Sequence, residues 1–296
     1  MSTEDPSRPG PLLSARDIRE LAEAAGIRPS KQRGQNFVMD PNTVRTIVSR
    51  ARIETGQPVL EIGPGLGSLT LGLLEAGADV VAVELDRGLA ELLPHTLAAR
   101  EIDADRFRLV HDDALQVTEL PALPHAGAPT ALVANLPYNV ATPILLTMLE
   151  RFETLRSALV MVQSEVVDRL TAGPGSRTYG GPSVKAAWYG RAVHAGRISR
   201  QIFWPVPNVD SALVELVRHE QPLGTAEERE RVFAVIDAAF AQRRKTLRAA
   251  LSGWAGSAAR SEAILRAAGI DPGARGETLQ IEQFRAIARA EKAVQA

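Results

Sequence analysis

The chain has 296 residues, of which 45% are hydrophobic and 23% charged, enough to bury a core larger than one average domain holds. It contains no cysteine, which excludes disulfides, thiolate zinc sites, iron-sulfur clusters and a cysteine nucleophile, and its five histidines have no ligand spacing, so no metal is expected. The formal net charge is −1 but unevenly spread: residues 51–150 hold 5 Lys+Arg against 14 Asp+Glu, and the remainder holds 29 against 21. An acidic centre with basic flanks suits an enzyme of nucleic acid, and a solvated surface of mixed sign equally well.

Residues 1–13 are Pro-rich and polar and are expected to form a disordered tail. The start Met1-Ser-Thr-Glu-Asp-Pro lacks the basic and apolar regions of a signal peptide, and no apolar run approaches the roughly 20 residues of a membrane span. The expectation is a cytoplasmic protein without a membrane partner. Ser14 caps a helix with Ile18, Leu21 and Ala25 on one face, which Gly26 ends. The stretch Lys31-Gln-Arg-Gly-Gln-Asn-Phe-Val-Met39 mixes the cations Lys31 and Arg33 with a glycine, two amides and a phenylalanine. That composition suits a loop that closes over a ligand and touches phosphate, and a plain linker equally. Asp40-Pro41 opens the next helix.

From Pro58 to about Leu216 strands alternate with helices, the signature of an α/β doubly wound, Rossmann-like sheet. The strand Pro58-Val-Leu-Glu-Ile62 runs into Gly63, Gly65 and Gly67 and then into the helical pattern Leu69, Leu73, Leu74. Glycines there let the backbone approach a ligand at the carboxyl end of a parallel strand. The spacing is G-x-G-x-G behind Glu61, not the G-x-G-x-x-G of a pyrophosphate cradle. The second strand, Asp79 to Val83, ends in Glu84, where a carboxylate accepts hydrogen bonds from both hydroxyls of a ribose. The third, Phe107 to Val110, leads to His111-Asp112-Asp113-Ala114. Alone, Asp113 reads as a turn residue; in series with Gly63 and Glu84 at successive strand ends it reads as an acceptor for the amino group of a bound adenine. Adenine, ribose and no phosphate describe S-adenosylmethionine.

The apolar run Ala131 to Ala134 ends in Asn135-Leu-Pro-Tyr138. The Asn135 amide oxygen and the Leu136 carbonyl can both accept from one exocyclic NH2, and Tyr138 offers a ring face for stacking, which describes a site for adenine N6. A strand end, a Pro turn and a half-buried Tyr is the plainer alternative. A target base must leave its stack to reach such a site, at least cost in a loop or single strand, so structured RNA is favoured over duplex DNA. Beyond a further strand at Ser157 to Val162, two late strands near Ala192 to Ser199 and Ala212 to Val217 read as a hairpin closing the sheet edge.

From about Glu220 the pattern is helical, with Val232, Val235, Ile236 and Ala239 in one stripe, and further helices are expected near Arg243 to Leu251, Ala258 to Ala268 and Ile281 to Ala290. The expected division is a cofactor-binding methyltransferase domain over 14–219 and a small all-helical domain over 220–296. Arg243, Arg244, Lys245 and Arg248 flank the apolar stripe Phe240, Leu247, Leu251, which suits a phosphate clamp or a merely solvated face.

These stretches resemble the ribosomal RNA adenine dimethyltransferase family. The resemblance rests on Gly34-Gln-Asn-Phe-Val38, Glu61-Ile-Gly-Pro-Gly-Leu-Gly67, Glu84, Asp113-Ala114, Asn135-Leu-Pro-Tyr138, Pro174-Gly-Ser-Arg-Thr-Tyr-Gly180, Phe203-Trp-Pro-Val-Pro-Asn-Val-Asp-Ser211 and Arg243-Arg-Lys-Thr-Leu-Arg248. The Pro174 and Arg243 stretches point to the branch acting on the small subunit, since relatives that confer antibiotic resistance through large-subunit RNA do not usually carry them. The resemblance implies a class I methyltransferase sheet with a small C-terminal helical domain, S-adenosylmethionine as cofactor, and dimethylation of two adjacent adenosines in a hairpin loop near the 3′ end of small-subunit ribosomal RNA. It also implies an immature small ribosomal subunit as partner, a monomer, and a role in small-subunit biogenesis. Position by position, Asn36, Val38, Gly63, Gly65, Glu84, Asp113 and Ala114 would meet the cofactor. Asn135 would bridge cofactor and target, Leu136, Pro137 and Tyr138 would hold the target base, and Phe203 would cover its opposite face. Lys31, Arg33, Arg243, Arg244, Lys245 and Arg248 would contact RNA. Two departures are Val38, where the family usually has Leu, and Gly181-Pro182, where an apolar residue is commoner. A binding-only descendant would have eroded the tetrapeptide, which is intact here; an adenine-N6 DNA methyltransferase would need a larger recognition domain than the helical tail.

Overall fold

The computed structural model describes residues 12–27 and 35–295. Lys31, Arg33 and most of the expected tail lie outside the described residues. Leu12 and Leu13 do not behave as tail, for both are buried. The elements are α1 (Ala15–Ala24), β1 (Phe37–Val38), α2 (Pro41–Ala51), β2 (Pro58–Ile62), α3 (Ser68–Glu75), β3 (Asp79–Glu84), α4 (Arg87–Ala98), β4 (Phe107–His111), β5 (Ala131–Asn135), α5 (Ala141–Arg151), β6 (Ser157–Gln163) and α6 (Ser164–Leu170). Then come α7 (Gly181–Tyr189), β7 (Gly190–Ile198), β8 (Phe203–Trp204), β9 (Ser211–Arg218), α8 (Ala226–Ala241), α9 (Leu247–Ala250), α10 (Ser252–Ala255), α11 (Ala258–Ala267) and α12 (Ile281–Gln295). Among the described residues no helix is long and apolar enough to cross a membrane.

Seven strands form one sheet in the order β4-β3-β2-β5-β6-β9-β7. The pairs β2 with β3, β3 with β4, β2 with β5 and β5 with β6 are parallel. Strands buried on both faces need continuous apolar runs, and every residue of β2 and β3 is buried. The chain leaves β2 toward β3 and β4 on one side and returns through β5 and β6 on the other, so the order reverses at β2 and β5. The expected late strands are neighbours at the far edge as β9 and β7. The segment joining them holds β8, which pairs antiparallel with β1, Phe37 opposite Trp204 and Val38 opposite Phe203. Part of the stretch read as a loop over 31–39 is therefore a strand, and the Met39 N–H extends the tie by donating to the Ile202 carbonyl at 2.8 Å.

Helix ends follow their capping residues. Ser14 forms a capping box with Asp17, and Asp40 caps α2 ahead of Pro41 by accepting from the Thr43 N–H at 2.9 Å.

By packing, the chain divides into two units, the described residues up to Val167 with His194–Leu216, and Asp168–Val193 with Val217–Ala296. The line thus falls elsewhere than the single boundary expected after residue 219. Residues 168–193 join the C-terminal helices because their aromatic rings do: Trp188 and Tyr189 meet Phe233 edge-on, and Tyr179 meets Phe240. Within this second unit the stripe Val232, Val235, Ile236 and Ala239 of α8 is buried as expected. The helix expected over Arg243 to Leu251 begins only at Leu247. Thr246 is extended at its N-cap, and the N–H groups of Leu247 and Arg248 donate to the carbonyls of Ala274 and Pro272 instead of to a preceding turn.

Candidate functional site

The carboxyl ends of β2, β3, β4 and β5 open into a cavity of about 780 Å³ in the first unit, at the point where the strand order reverses. Asn36, Val38, Gly63, Gly65, Glu84, Asp113, Ala114, Asn135 and Pro137 all lie in its wall. The backbone of the glycine loop needs its glycines. Gly63 and Gly65 have φ of 69° and 58°, and a Cβ on Gly65 would come 3.0 Å from the Phe37 ring. In this turn the Gly65 N–H points at Glu84 and donates to its Oε2 at 3.1 Å, while the Asp86 N–H donates to Oε1 at 2.9 Å. Two backbone donors thus hold the Glu84 carboxylate. Burial raises its pKa and these bonds oppose the rise.

Charge in the cavity is strongly one-sided. Among the described residues, its ionisable wall residues are the acids Glu61, Glu84, Asp86, Asp112 and Asp113 and the single cation Arg87. Glu61 is 1% exposed and accepts from the Thr70 hydroxyl at 2.7 Å. Burial pushes its carboxyl up to about 8, the Thr70 bond pulls down, and the negative charge of Glu84 adds to the rise. A cavity of this sign repels a phosphate and attracts a cation. Asp113 shapes the rim of β4's loop by accepting from the Leu115 N–H at 2.9 Å, a local turn bond.

Asn135 ends β5, and its amide nitrogen donates to the Asn36 carbonyl at 3.0 Å. With the amide group oriented by that bond, the amide oxygen stays available as an acceptor. Leu136 is buried, its N–H bonded to the Met161 carbonyl at 3.1 Å. The half-buried Tyr138 shares a hydrogen bond of 2.6 Å with Ser211, and burial raises its phenol pKa. Phe203 departs from expectation. It is 0% exposed, its backbone is paired with Val38, and its ring belongs to the hydrophobic core instead of the cavity wall. Strand pairing next to a Pro-rich turn has drawn the ring inward.

The expected cations also separate, in the second unit. Arg243 lies in the turn before α9, not on a helix, and its guanidinium is committed: to Glu277 at 2.8 Å and to the carbonyls of Arg177 at 2.8 Å and Ser176 at 3.4 Å. Arg248 pairs with Glu262 at 2.9 Å. Arg244 and Lys245 are exposed in the same turn. The stretches Pro174–Gly180 and Arg243–Arg248 thus meet through Arg243. The Tyr179 hydroxyl adds a bond to the Leu279 carbonyl at 2.6 Å.

Four residues of consequence carry no role in the sequence reading. Glu61 stands two places before Gly63, a spacing that could have drawn attention to it. Leu85 follows Glu84 and lines the cavity although it is apolar and 66% exposed; an apolar residue directly after an acidic strand end is its signal. Asn139, in the wall beside Tyr138, has only its adjacency to the tetrapeptide. Ser211, distant in sequence from Tyr138, has none.

The model of a family described as ribosomal RNA adenine dimethylase matches residues 28–292 of the chain. Proteins named Ribosomal RNA small subunit methyltransferase A are similar to it. That of Streptomyces griseus is 63% identical over 283 residues, 95% of this chain and 96% of its own, and that of Streptomyces coelicolor 62% identical over 281 residues, 95% and 97%. Among solved structures, the 23S rRNA methyltransferase ErmE is similar at a TM-score of 0.62 with 27% identity, over 86% of this chain and 99% of that one. A dimethyladenosine transferase from Plasmodium falciparum shares the fold at a TM-score of 0.70 with 20% identity, over 85% of this chain and 95% of that one.

Proposed function

The chain belongs to the ribosomal RNA adenine dimethylase family, and from that premise we propose that its targets are two adjacent adenosines in a hairpin loop near the 3′ end of small-subunit ribosomal RNA. It is an S-adenosylmethionine-dependent enzyme that dimethylates adenine at N6 in ribosomal RNA. The small-subunit assignment is supported by the names of relatives that span almost the whole chain. The observation that carries the reading is Asn135-Leu-Pro-Tyr138 at the end of β5, with Asn135 and Pro137 in the wall of an acidic cavity.

The cavity fits the cofactor on its own chemistry, since a cationic nucleoside without phosphate complements the acidic wall of Glu84, Asp86, Asp112 and Asp113, the protonatable Glu61 and close-approaching glycines. In this reading Gly63 and Gly65 permit approach, Glu84 holds the ribose hydroxyls, Asp113 and Ala114 hold the adenine, Asn36 and Val38 cover the ligand, and Glu61 faces its charged tail. S-adenosylmethionine, when bound, supplies a methyl group on a sulfonium that is already an activated leaving group. The protein's own task is positioning and desolvation. Asn135 Oδ1 and the Leu136 carbonyl accept the two N6 protons, which frees the nitrogen lone pair from the ring, and Tyr138 keeps the base flat. Pro137, Val140 and Ile144 keep water from the wall they line. No strong general base is needed. Methylation makes N6 strongly acidic, so it gives one proton up to water without a strong base; the amine then has a single proton left, one acceptor is released and the pocket takes a rotated methylamino group.

Arg244 and Lys245, together with Lys31 and Arg33, are assigned to RNA phosphates in this reading, whereas Arg243 and Arg248 are already held by Glu277 and Glu262. The substrate is taken to be an immature small subunit, met by a monomer in the cytoplasm during subunit biogenesis. Mass-spectrometric mapping of methylated adenosines in ribosomal RNA from cells lacking the protein, with and without complementation, tests the assignment. Loss of dimethyladenosine at two adjacent positions of the small-subunit RNA is expected. Loss confined to large-subunit RNA or to DNA would overturn it.

A further inference from the structure

Ser211 is the first residue of β9 and is 0% exposed. The chain just ahead of it is fixed at several points. The Asp210 carbonyl accepts from both the N–H and the hydroxyl of Ser164 at 3.1 Å, the Asp210 carboxylate accepts from the Arg200 N–H at 3.4 Å, and the Arg200 guanidinium donates to the Asn208 carbonyl at 3.1 Å. Ser211 is therefore a fixed post, and the Tyr138 hydroxyl is bonded to it at 2.6 Å. Tyr138 itself leaves the backbone in the turn between β5 and α5, so its ring is held at both ends, by its Cα and by its hydroxyl.

A ring required only for its face needs no hydroxyl, because Phe offers the same surface. The hydroxyl here removes torsional freedom about the Cα–Cβ bond, which sets where the ring stands; rotation about Cβ–Cγ, on whose axis the oxygen lies, is left to the packing around the half-buried ring. We propose that Ser211 is a positioning residue for methyl transfer, its hydroxyl fixing the place at which the Tyr138 ring stands for the target adenine to stack on it. The proposal rests on the reading that Tyr138 stacks on that adenine. Ser211 touches neither base nor cofactor in this scheme; it acts through Tyr138.

The test is steady-state kinetics of the full chain with S-adenosylmethionine and small ribosomal subunits from cells lacking the protein, comparing Tyr138→Phe, Ser211→Ala and the double variant, with Ser211→Thr and Tyr138→Ala as controls. Tyr138→Phe and Ser211→Ala should each lower kcat about tenfold, the scale of one hydrogen bond, with the KM for cofactor within about twofold of wild type. The double variant should be no worse than either single one, because both remove the same bond. Ser211→Thr keeps the hydroxyl and should recover most of kcat. Should its extra methyl unfold a fully buried site, Tyr138→Phe, which only removes an oxygen, carries the test alone. Wild-type kcat in Tyr138→Phe and Ser211→Ala beside an inactive Tyr138→Ala overturns the positioning role and leaves the stacking reading standing, as does a lowered Tm with unchanged kcat. Additive losses in the double variant also overturn it. Full activity in Tyr138→Ala removes the stacking reading and the proposal with it.

Discussion

The Asn135 side-chain amide donates to the backbone carbonyl of Asn36 at 3.0 Å, so the end of β5 is tied to the segment entering β1 by the nitrogen and presents its oxygen elsewhere. That division of labour makes the amide, and not merely an acceptor, the requirement at position 135. Asn135→Ala should lower kcat by about 100-fold, the usual cost of removing one group that acts on the transition state. Asn135→Asp should fail similarly although it retains an acceptor, because a carboxylate cannot donate to Asn36 and is repelled by that carbonyl. Turnover above about a tenth of wild type in Asn135→Ala would remove the residue from the chemistry.

Glu84 is held by the N–H groups of Gly65 and Asp86. Glu84→Ala should weaken cofactor binding by about 10- to 100-fold, since it removes a charge-assisted acceptor and leaves both donors unpaired. Calorimetric titration with S-adenosylmethionine reads this directly, and an unchanged affinity would dissociate Glu84 from the ribose.

A proton is also at stake in the cavity. The Glu61 carboxyl, pushed up to about 8 by burial, stays protonated in the folded protein over a range where the same group in the unfolded chain, at its ordinary 4.5, is ionised. The folded state then binds more protons, so this group's contribution to stability falls as pH rises from about 4.5 to about 8 and is level above that. Glu61→Gln, a permanently neutral mimic, should flatten that part of the pH dependence and be more stable than wild type near the upper end. A cation docking against Glu61 reverses the preference and expels the proton. Cofactor binding to wild type should therefore tighten with rising pH below about 8 and release up to one proton, measured by calorimetry in buffers of different ionisation enthalpy. Equal proton release by wild type and Glu61→Gln would show that Glu61 does not face the charge.

The strands β2, β3, β4 and β5 and a ligand site at their carboxyl ends were legible because short, mostly apolar runs are punctuated by glycines and by acidic residues at their ends, whereas their order in the sheet was not. Legible too was α8, whose buried stripe has helical spacing. Features set by distant partners were not legible. Two-residue strands such as β1 and β8 have no periodicity to detect, and Phe203 turns inward only because its strand pairs with β1. The helix break at Arg243 depends on carbonyls of Ala274 and Pro272 supplied from beyond α11. Residues 168–193 pack with the C-terminal helices through Trp188 and Tyr189 on Phe233, an arrangement that no local pattern encodes. The bond from Tyr138 to Ser211 spans 73 residues and belongs to the same class.

The basic turn before α9 separates binding from stability. Arg244 and Lys245 are exposed, whereas Arg243 clasps Glu277 and the carbonyls of Ser176 and Arg177. Replacing Arg244 and Lys245 together with Ala should leave Tm and cofactor affinity unchanged and weaken binding to small ribosomal subunits. The plot of log K against log salt should become shallower by about 0.7–0.9 for each phosphate that is no longer neutralised. Arg243→Ala should act differently, lowering stability by about 1–3 kcal/mol because three acceptors lose a charged donor at once, with the salt slope preserved. Thermal unfolding and a salt titration of subunit binding distinguish the two variants. If the slope is unchanged when Arg244 and Lys245 are both removed, they are solvated charges, and phosphate binding belongs elsewhere, with Lys31 and Arg33 the next pair to replace.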